Sequence, residues 1–236
     1  MSIGRIMFFF RDGHNDLIDI DNQFYPLCLL LNRLLNEKYN GRKIKFLNLK
    51  FSTEETYQLY PKSVRYYTHY YKDTIFYNDV FNIEAFNLMT KQEKNYFLWE
   101  RAYEILIEVS VKSKISELAV AAEYGYHKGL RMNLETNFRL LEENIVLYGT
   151  NIKAILSINF DDFNMYSVFT LEKGYDTIIF EHQIDSAKLG IEYFLTIYKK
   201  ITVVNNVIVI KGSKDVDYLP LKFNIPPEIV QYGIQL

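Results

Sequence analysis

The sequence is poor in the features that mark secreted or membrane proteins. It has one cysteine, Cys28, among 236 residues, so no disulfide forms within the chain. A lone thiol is typical of proteins from reducing compartments, and we therefore expect a cytoplasmic location. The uncharged apolar stretches stay far below the ~18 residues of a membrane-spanning helix. The apolar run at residues 6–10 ends at Arg11, too early for a secretory signal. We expect no membrane partner.

The sequence also lacks a large excess of positive or negative charge. Lys and Arg total 27 against 29 for Asp and Glu, a net charge of -2, which does not favour nucleic acid as a partner. The glycine-rich phosphate and dinucleotide loops and the Gly-x-Ser-x-Gly elbow are absent. We therefore expect no cofactor, and the sequence favours a non-enzymatic protein.

What the sequence does contain is a large apolar fraction, 49% of residues, with 20 Tyr and 17 Phe. This content predicts a sizeable core. Strand-like alternation and helical periodicity occur in separate blocks, which predicts the α+β class. The expected order is an N-terminal hairpin (residues 3–11 and 17–21) and helix, a central layer of three helices, and a C-terminal antiparallel or mixed sheet with one packed helix. Residues 44–49 alternate as in a strand, and Thr90 with Glu93 forms a capping box that opens the first central helix. The second central helix is expected at residues 116–124, the third from Asn133, and the C-terminal helix at residues 186–200. We expect a single compact unit, residues 1–236, with subdomains 1–87 and 88–236 as the alternative.

The string at residues 12–17, Asp-Gly-His-Asn-Asp-Leu, follows an apolar strand. It resembles the opening of the membrane dipeptidase family, in which a His-x-Asp pair at the end of a barrel strand holds zinc. The resemblance covers these six residues and implies a metal-dependent hydrolase with His14 and Asp16 as ligands. The alternative interpretation is that these turn-forming residues close a hairpin.

A helix-turn-helix is a further candidate, at residues 117–140. Ala121 and Gly125 stand where a tight turn between two helices would place small residues, and the second helix would offer His127, Lys128 and Arg131 to DNA. Several glutamates surround this segment and oppose phosphate binding. A tightly packed helical pair has the same pattern of small residues.

Residues 38–72 are locally basic and rich in tyrosine. Rings interleaved with cations are typical of surfaces that bind single-stranded nucleic acid. However, Val64 with Tyr67, and Tyr67 with Tyr71, are spaced by one helical turn. The favoured interpretation is therefore a helix from Pro61 whose rings are buried and whose lysines are solvated.

Acidic residues accumulate between residues 161 and 192. This cluster predicts a solvated or partner-binding surface that steers onto a basic site. We therefore predict a protein-binding protein, in its most concrete version an immunity protein that masks a co-produced toxin with a basic active site. The candidate partner-binding residues are Asp161, Asp162, Glu172, Asp176, Glu181 and Asp185.

Overall fold

The computed structural model describes residues 2–41, 43–174 and 177–232. Helices and strands are both abundant, which confirms the α+β class. Contacts divide the chain into two compact units, Met1–Thr136 and Asn137–Leu236.

The first unit contains a five-stranded mixed sheet and six helices among its described residues. The sheet order is β2-β1-β3-β5-β4, in which β1, β3 and β5 are parallel and the short edge strands β2 and β4 are antiparallel to their neighbours. The strands are β1 (Arg5–Asp12), β2 (Asn15–Asp16), β3 (Phe46–Ser52), β4 (Tyr67–Tyr71) and β5 (Thr74–Val80). The helices are α1 (Ile18–Gln23), α2 (Tyr25–Asn36), α3 (Glu54–Leu59), α4 (Ile83–Leu88), α5 (Lys91–Ser113) and α6 (Ser116–Arg131).

One face of this sheet forms the core. Alternate residues of the central strands, among them Phe8, Leu49 and Tyr77, are fully buried in one cluster with α2, α5 and α6. The intervening residues of each strand point to the opposite face because side chains alternate along a strand. The two faces of the sheet therefore have different environments.

Helix α5 begins with the capping box expected from its sequence. Thr90 Oγ1 accepts a hydrogen bond from the Glu93 backbone N–H, and the Glu93 carboxylate accepts one from the Thr90 N–H at 2.7 Å. Further along, Arg101 donates to both carboxylate oxygens of Asp79 at 2.6 and 2.8 Å. Asp79 is only 1% exposed at the end of β5, so this ion pair joins the helix to the sheet.

The second unit is mainly antiparallel sheet. A four-stranded meander consists of β6 (Phe138–Leu147), β7 (Thr150–Phe160), β8 (Asn164–Lys173) and β9 (Thr177–Lys188). A three-stranded sheet follows, with β10 (Tyr198–Val204), β11 (Val207–Gly212) and β12 (Leu221–Phe223), and then helix α7 (Pro227–Tyr232). The rings of Phe169 and Phe223 stack at 4.8 Å between centroids, which joins the two sheets.

Two predictions for the first unit were wrong. Residues 17–21 were expected to be the second hairpin strand, but the strand ends at Asp16 and α1 follows. Leu17 and Ile20 pack on the core at helical spacing, and Asp21 Oδ1 accepts a hydrogen bond from the Phe10 N–H at 2.7 Å. The helix expected from Pro61 is instead a loop followed by strand β4.

Two further helices in the sequence-based prediction were wrong. The third central helix, expected from Asn133, is strand β6, because Asn133 and Leu134 adopt positive φ angles that end the helical path. The helix expected at residues 186–200 is the end of β9, a short 3-10 helix at Glu192–Thr196 and the start of β10.

The single-unit interpretation of residues 1–236 stays a prediction. A boundary near residue 87 lies inside one packed cluster, because Phe86 and Leu98 share the core of the first unit.

Candidate functional site: an aromatic face on the first sheet

His14 and Asp16 lie beside the β1–β2 turn and bind other side chains of the protein. His14 Nδ1 is 2.9 Å from the Tyr60 hydroxyl, and Asp16 pairs with Arg11 at 3.4 Å. No group of three or more His, Cys, Asp or Glu side chains that could hold a metal occurs within the described ranges. The barrel implied by the dipeptidase resemblance is also not the fold of this unit, whose sheet is open with β2 and β4 at its edges.

The helix-turn-helix prediction was wrong. Helix α6 runs without a turn from Ser116 to Arg131, through both Gly125 and Gly129. A Cβ on Gly129 would be 2.2 Å from the Trp99 ring, so this glycine permits the close approach of α5 and α6. Lys128 pairs with Glu37 at 2.6 Å. The small residues therefore serve helix packing.

The acidic residues of the second unit differ in environment. Asp161 and Asp162 are exposed in the turn between β7 and β8, where Asp161 accepts hydrogen bonds from two backbone N–H groups. Glu172 is only 8% exposed and accepts a hydrogen bond from Arg139 at 3.0 Å. Glu172 is thus not an exposed steering charge.

Of the remaining acidic candidates, Glu181 and Asp185 lie on β9. Glu181 is exposed opposite Thr170, whereas Asp185 lies opposite Ser167 and accepts a hydrogen bond from the Tyr218 hydroxyl at 2.7 Å. Asp176 is outside the described residues. Among the described members, Asp161, Asp162 and Glu181 are exposed, whereas Asp185 is half-buried and Glu172 is buried. Their role in partner binding stays a prediction.

A groove lies at the carboxyl ends of the parallel strands, where open α/β sheets usually place their ligands. Its volume is about 380 Å³, and four carboxylates line it. Two of them are already engaged within the protein, since Asp12 accepts a hydrogen bond from Thr53 at 2.8 Å and Glu54 pairs with Arg65.

The basic, tyrosine-rich segment gives the strongest candidate site. The buried helix expected here was wrong, because residues 67–71 form an edge strand and their rings are exposed. Tyr67 is 50% and Tyr71 is 59% exposed. Both lie on the face opposite the core cluster of α2, α5 and α6, since their register partners Asn78 and Thr74 alternate with the buried Ile75 and Tyr77.

Neighbouring strands extend this surface. His69 lies between the two tyrosines and opposite Phe76, and their ring centroids are 6.1 Å apart. The loop before β4 closes one end, where Asn78 Nδ2 donates to the Val64 carbonyl at 3.2 Å. We call this surface the aromatic face; it consists of Lys50, Lys62, Val64, Tyr67, His69, Tyr71, Phe76 and Asn78, and it encloses a shallow cavity of about 460 Å³.

The charge of the aromatic face is positive. Lys50 Nζ lies 5.1 Å from the centroid of the Phe76 ring, and Lys72 Nζ lies 5.4 Å from that of Tyr71. Lys62 lines the cavity with Lys50, and no Asp or Glu is among its described lining residues. A cation near a ring face is attracted by the ring quadrupole. The face therefore combines exposed π surfaces with cations.

The sequence of this segment fits two periods, those of a strand and of a helix. Tyr67, His69 and Tyr71 occupy every second position, as in a strand, but Val64, Tyr67 and Tyr71 also fit a helix. Lys50 belongs to the basic segment at residues 38–72 but lies on β3, whereas the contributions of Phe76 and Asn78 were missed because these residues come from β5. Alternation in those strands predicts their faces, but only strand pairing brings them to β4.

Comparison with known proteins returned no match: no family model matches the chain, and neither a curated protein nor a solved structure matches it. Among the described residues, no helix has the length and apolar character needed to span a membrane.

Proposed function

We propose that this chain is a non-enzymatic binding protein that docks an anionic macromolecular partner on the aromatic face. The observation that carries the proposal is the exposure of Tyr67, His69 and Tyr71 side by side on one strand. Contiguous exposed rings are uncommon on monomeric proteins and mark interaction surfaces. Tyrosine is also enriched among the anchors of binding interfaces.

The cations determine which partner this surface attracts. Lys50 and Lys62 line the cavity, and Lys72 lies over the ring of Tyr71 at one end of the strand. Complementary charge increases the association rate and aligns the partner, and the rings contribute contact area once the partner is seated. Contact and charge suffice for such docking, so no residue of the face is assigned a catalytic role.

A second candidate, predicted from the sequence and using a different surface, is an immunity protein acting in the cytoplasm on a co-produced toxin. The cytoplasmic location is supported by the single cysteine, which is buried. A toxin with a basic active site would meet the exposed acids Asp162 and Glu181 in the second unit rather than the aromatic face. This version stays a prediction, and the aromatic face is the better supported surface.

Site-specific photocrosslinking tests the proposal. A photoreactive phenylalanine analogue replaces Tyr71 in cells that produce the protein, and the matched control carries it at Tyr70. Tyr70 is also exposed, but its register partner Ile75 places it on the other face of the same strand. We expect covalent adducts on denaturing gels from position 71 and few from position 70. Equal yields at the two positions, or none at either, would contradict the proposal.

A further inference from the structure

We infer that the partner of the aromatic face is single-stranded nucleic acid, an inference that rests on the proposed function. Sites that bind single strands without strong sequence preference combine aromatic side chains, on which bases stack, with cations that contact the phosphates. Both components are present within one cavity. Tyr67, His69, Tyr71 and Phe76 supply rings, and Lys50 and Lys62 supply charge.

The spacing of the rings suits a chain of successive bases. Tyr67, His69 and Tyr71 occupy every second position of β4, so neighbouring rings project from the same face about 6.8 Å apart along the strand. Phe76 lies beside His69 on β5 and widens the surface by one strand. Several bases can therefore contact rings along one straight path.

The preference for a single strand follows from access to the bases. In a duplex the base faces are stacked on one another, whereas unpaired bases are free to stack on aromatic side chains. The rings of the aromatic face lie on a sheet surface and not on a helix that would enter a groove. An acidic protein would contact the lysines but would leave the row of rings without stacked partners.

The net charge of -2 does not oppose this assignment, because the cations are local. The described lining of the cavity contains two lysines and a histidine and no carboxylate. Arg65, the arginine of the preceding loop, pairs with Glu54 and is not counted among the phosphate contacts. With Lys72 included, about three phosphate contacts predict that log K falls with log salt with a slope of about -2.

The first experiment measures binding directly. The purified full chain is titrated into a fluorescein-labelled single-stranded oligonucleotide of mixed sequence and about 12 nucleotides, as RNA and as DNA, and anisotropy is recorded. The same sequence as a duplex and unlabelled poly-glutamate are the controls. We expect the single strand to bind at least about tenfold tighter than the duplex. Poly-glutamate should compete poorly. No binding at protein concentrations up to about 100 µM, or equal competition by poly-glutamate, would overturn the inference.

Variants then locate the site. Tyr71→Ala should weaken binding about tenfold, whereas Tyr70→Ala on the other face should change it less than about twofold. Lys50→Ala should reduce the magnitude of the salt slope by about 0.7, and Lys200→Ala, at an exposed lysine in the second unit, should leave it unchanged. All four side chains are exposed, and unchanged melting temperatures will show that the variants fold. Equal effects of Tyr70→Ala and Tyr71→Ala would reject the aromatic face.

The photocrosslinked adduct separates this inference from the proposed function. An adduct at position 71 that nuclease removes supports both. A nuclease-resistant, protease-sensitive adduct supports docking on the aromatic face but overturns nucleic acid as the partner. Absence of any adduct at position 71 contradicts the proposed function itself.

Discussion

The ion pair between Asp79 and Arg101 allows a quantitative test of how the first unit is held together. Asp79 is 1% exposed, and Arg101 reaches it from α5 with two hydrogen bonds. These bonds raise the pKa of the Arg101 guanidinium, although its partial burial opposes the shift. Replacing Arg101 with Met retains most of the packing of the side chain but leaves a buried carboxylate without its partner.

The expected loss is large compared with the stability of a domain. Removing one member of a buried pair costs about 3–5 kcal/mol, and a whole domain is stable by about 5–15 kcal/mol. We expect Arg101→Met to lower the free energy of unfolding by about 3 kcal/mol or more. The measurement is urea unfolding followed by circular dichroism, with the slope of the transition checked for constancy.

Two companion variants show whether the buried charge is the cause. Adding Asp79→Asn to Arg101→Met removes the charge and should restore about 2 kcal/mol of the loss. Glu104→Gln removes only the exposed contact of Arg101, at 2.5 Å, and should change stability by less than about 0.5 kcal/mol. An Arg101→Met variant within about 1 kcal/mol of the wild type would refute the reasoning.

Two further predictions concern the same unit. Burial raises the pKa of Asp21 from its ordinary 3.8 to about 6 against the hydrogen bond from Phe10, so the folded state holds a proton that the unfolded state releases. Stability should therefore fall as pH rises from about 4 to 6. Above that range Asp21→Asn should be more stable than wild type by about 1–2 kcal/mol, after allowance for solvent screening of a half-exposed group. Thermal melts of both proteins at pH 4 and pH 8 test this, and the same difference between variant and wild type at the two pH values would contradict it. On α6, Gly129→Ala should cost about 2 kcal/mol or more because its Cβ would be 2.2 Å from the buried Trp99 ring. Gly125→Ala, with its nearest neighbour at 3.3 Å, should stay within about 1 kcal/mol of wild type, and equal urea midpoints for the two variants would show that the Trp99 contact does not matter.

Capping residues and hydrophobic periodicity correctly predicted the elements whose residues fit either the helical or the strand period, but not both. The Thr90–Glu93 capping box fixed the start of α5, and the alternation at residues 44–49 predicted most of β3. Segments that fit two periods were assigned wrongly. Leu134, Phe138 and Leu141 are spaced as in a helix, but β6 pairs with β7 through partners such as Ile145 and Ile152, and only tertiary structure makes that pairing favourable.

The site was predictable in composition but not in geometry. Within residues 38–72 the favoured interpretation was a buried helix from Pro61, with single-stranded nucleic-acid binding as the alternative, and some of these residues form part of the aromatic face. What the sequence lacked was the pairing of β4 with β5, which decides that Tyr67 and Tyr71 are exposed. The acidic segment shows the converse. Its acidic residues are close in sequence, but Glu172 is buried and pairs with Arg139. The number of acidic residues in the segment is therefore larger than the number of exposed negative charges.

Edge position explains how a sheet can keep such a face at all. A central strand such as β3 buries alternate residues against the core and pairs with a strand at each of its two edges. Strand β4 pairs with one neighbour only, β5. Exposed edge strands invite pairing with other chains, and charge is one means of preventing it. Lys50, Lys62 and Lys72 around the rings would repel a second copy of the same face while attracting an anion. Under the proposed function, the cations that would oppose self-association of this face would also select an anionic partner.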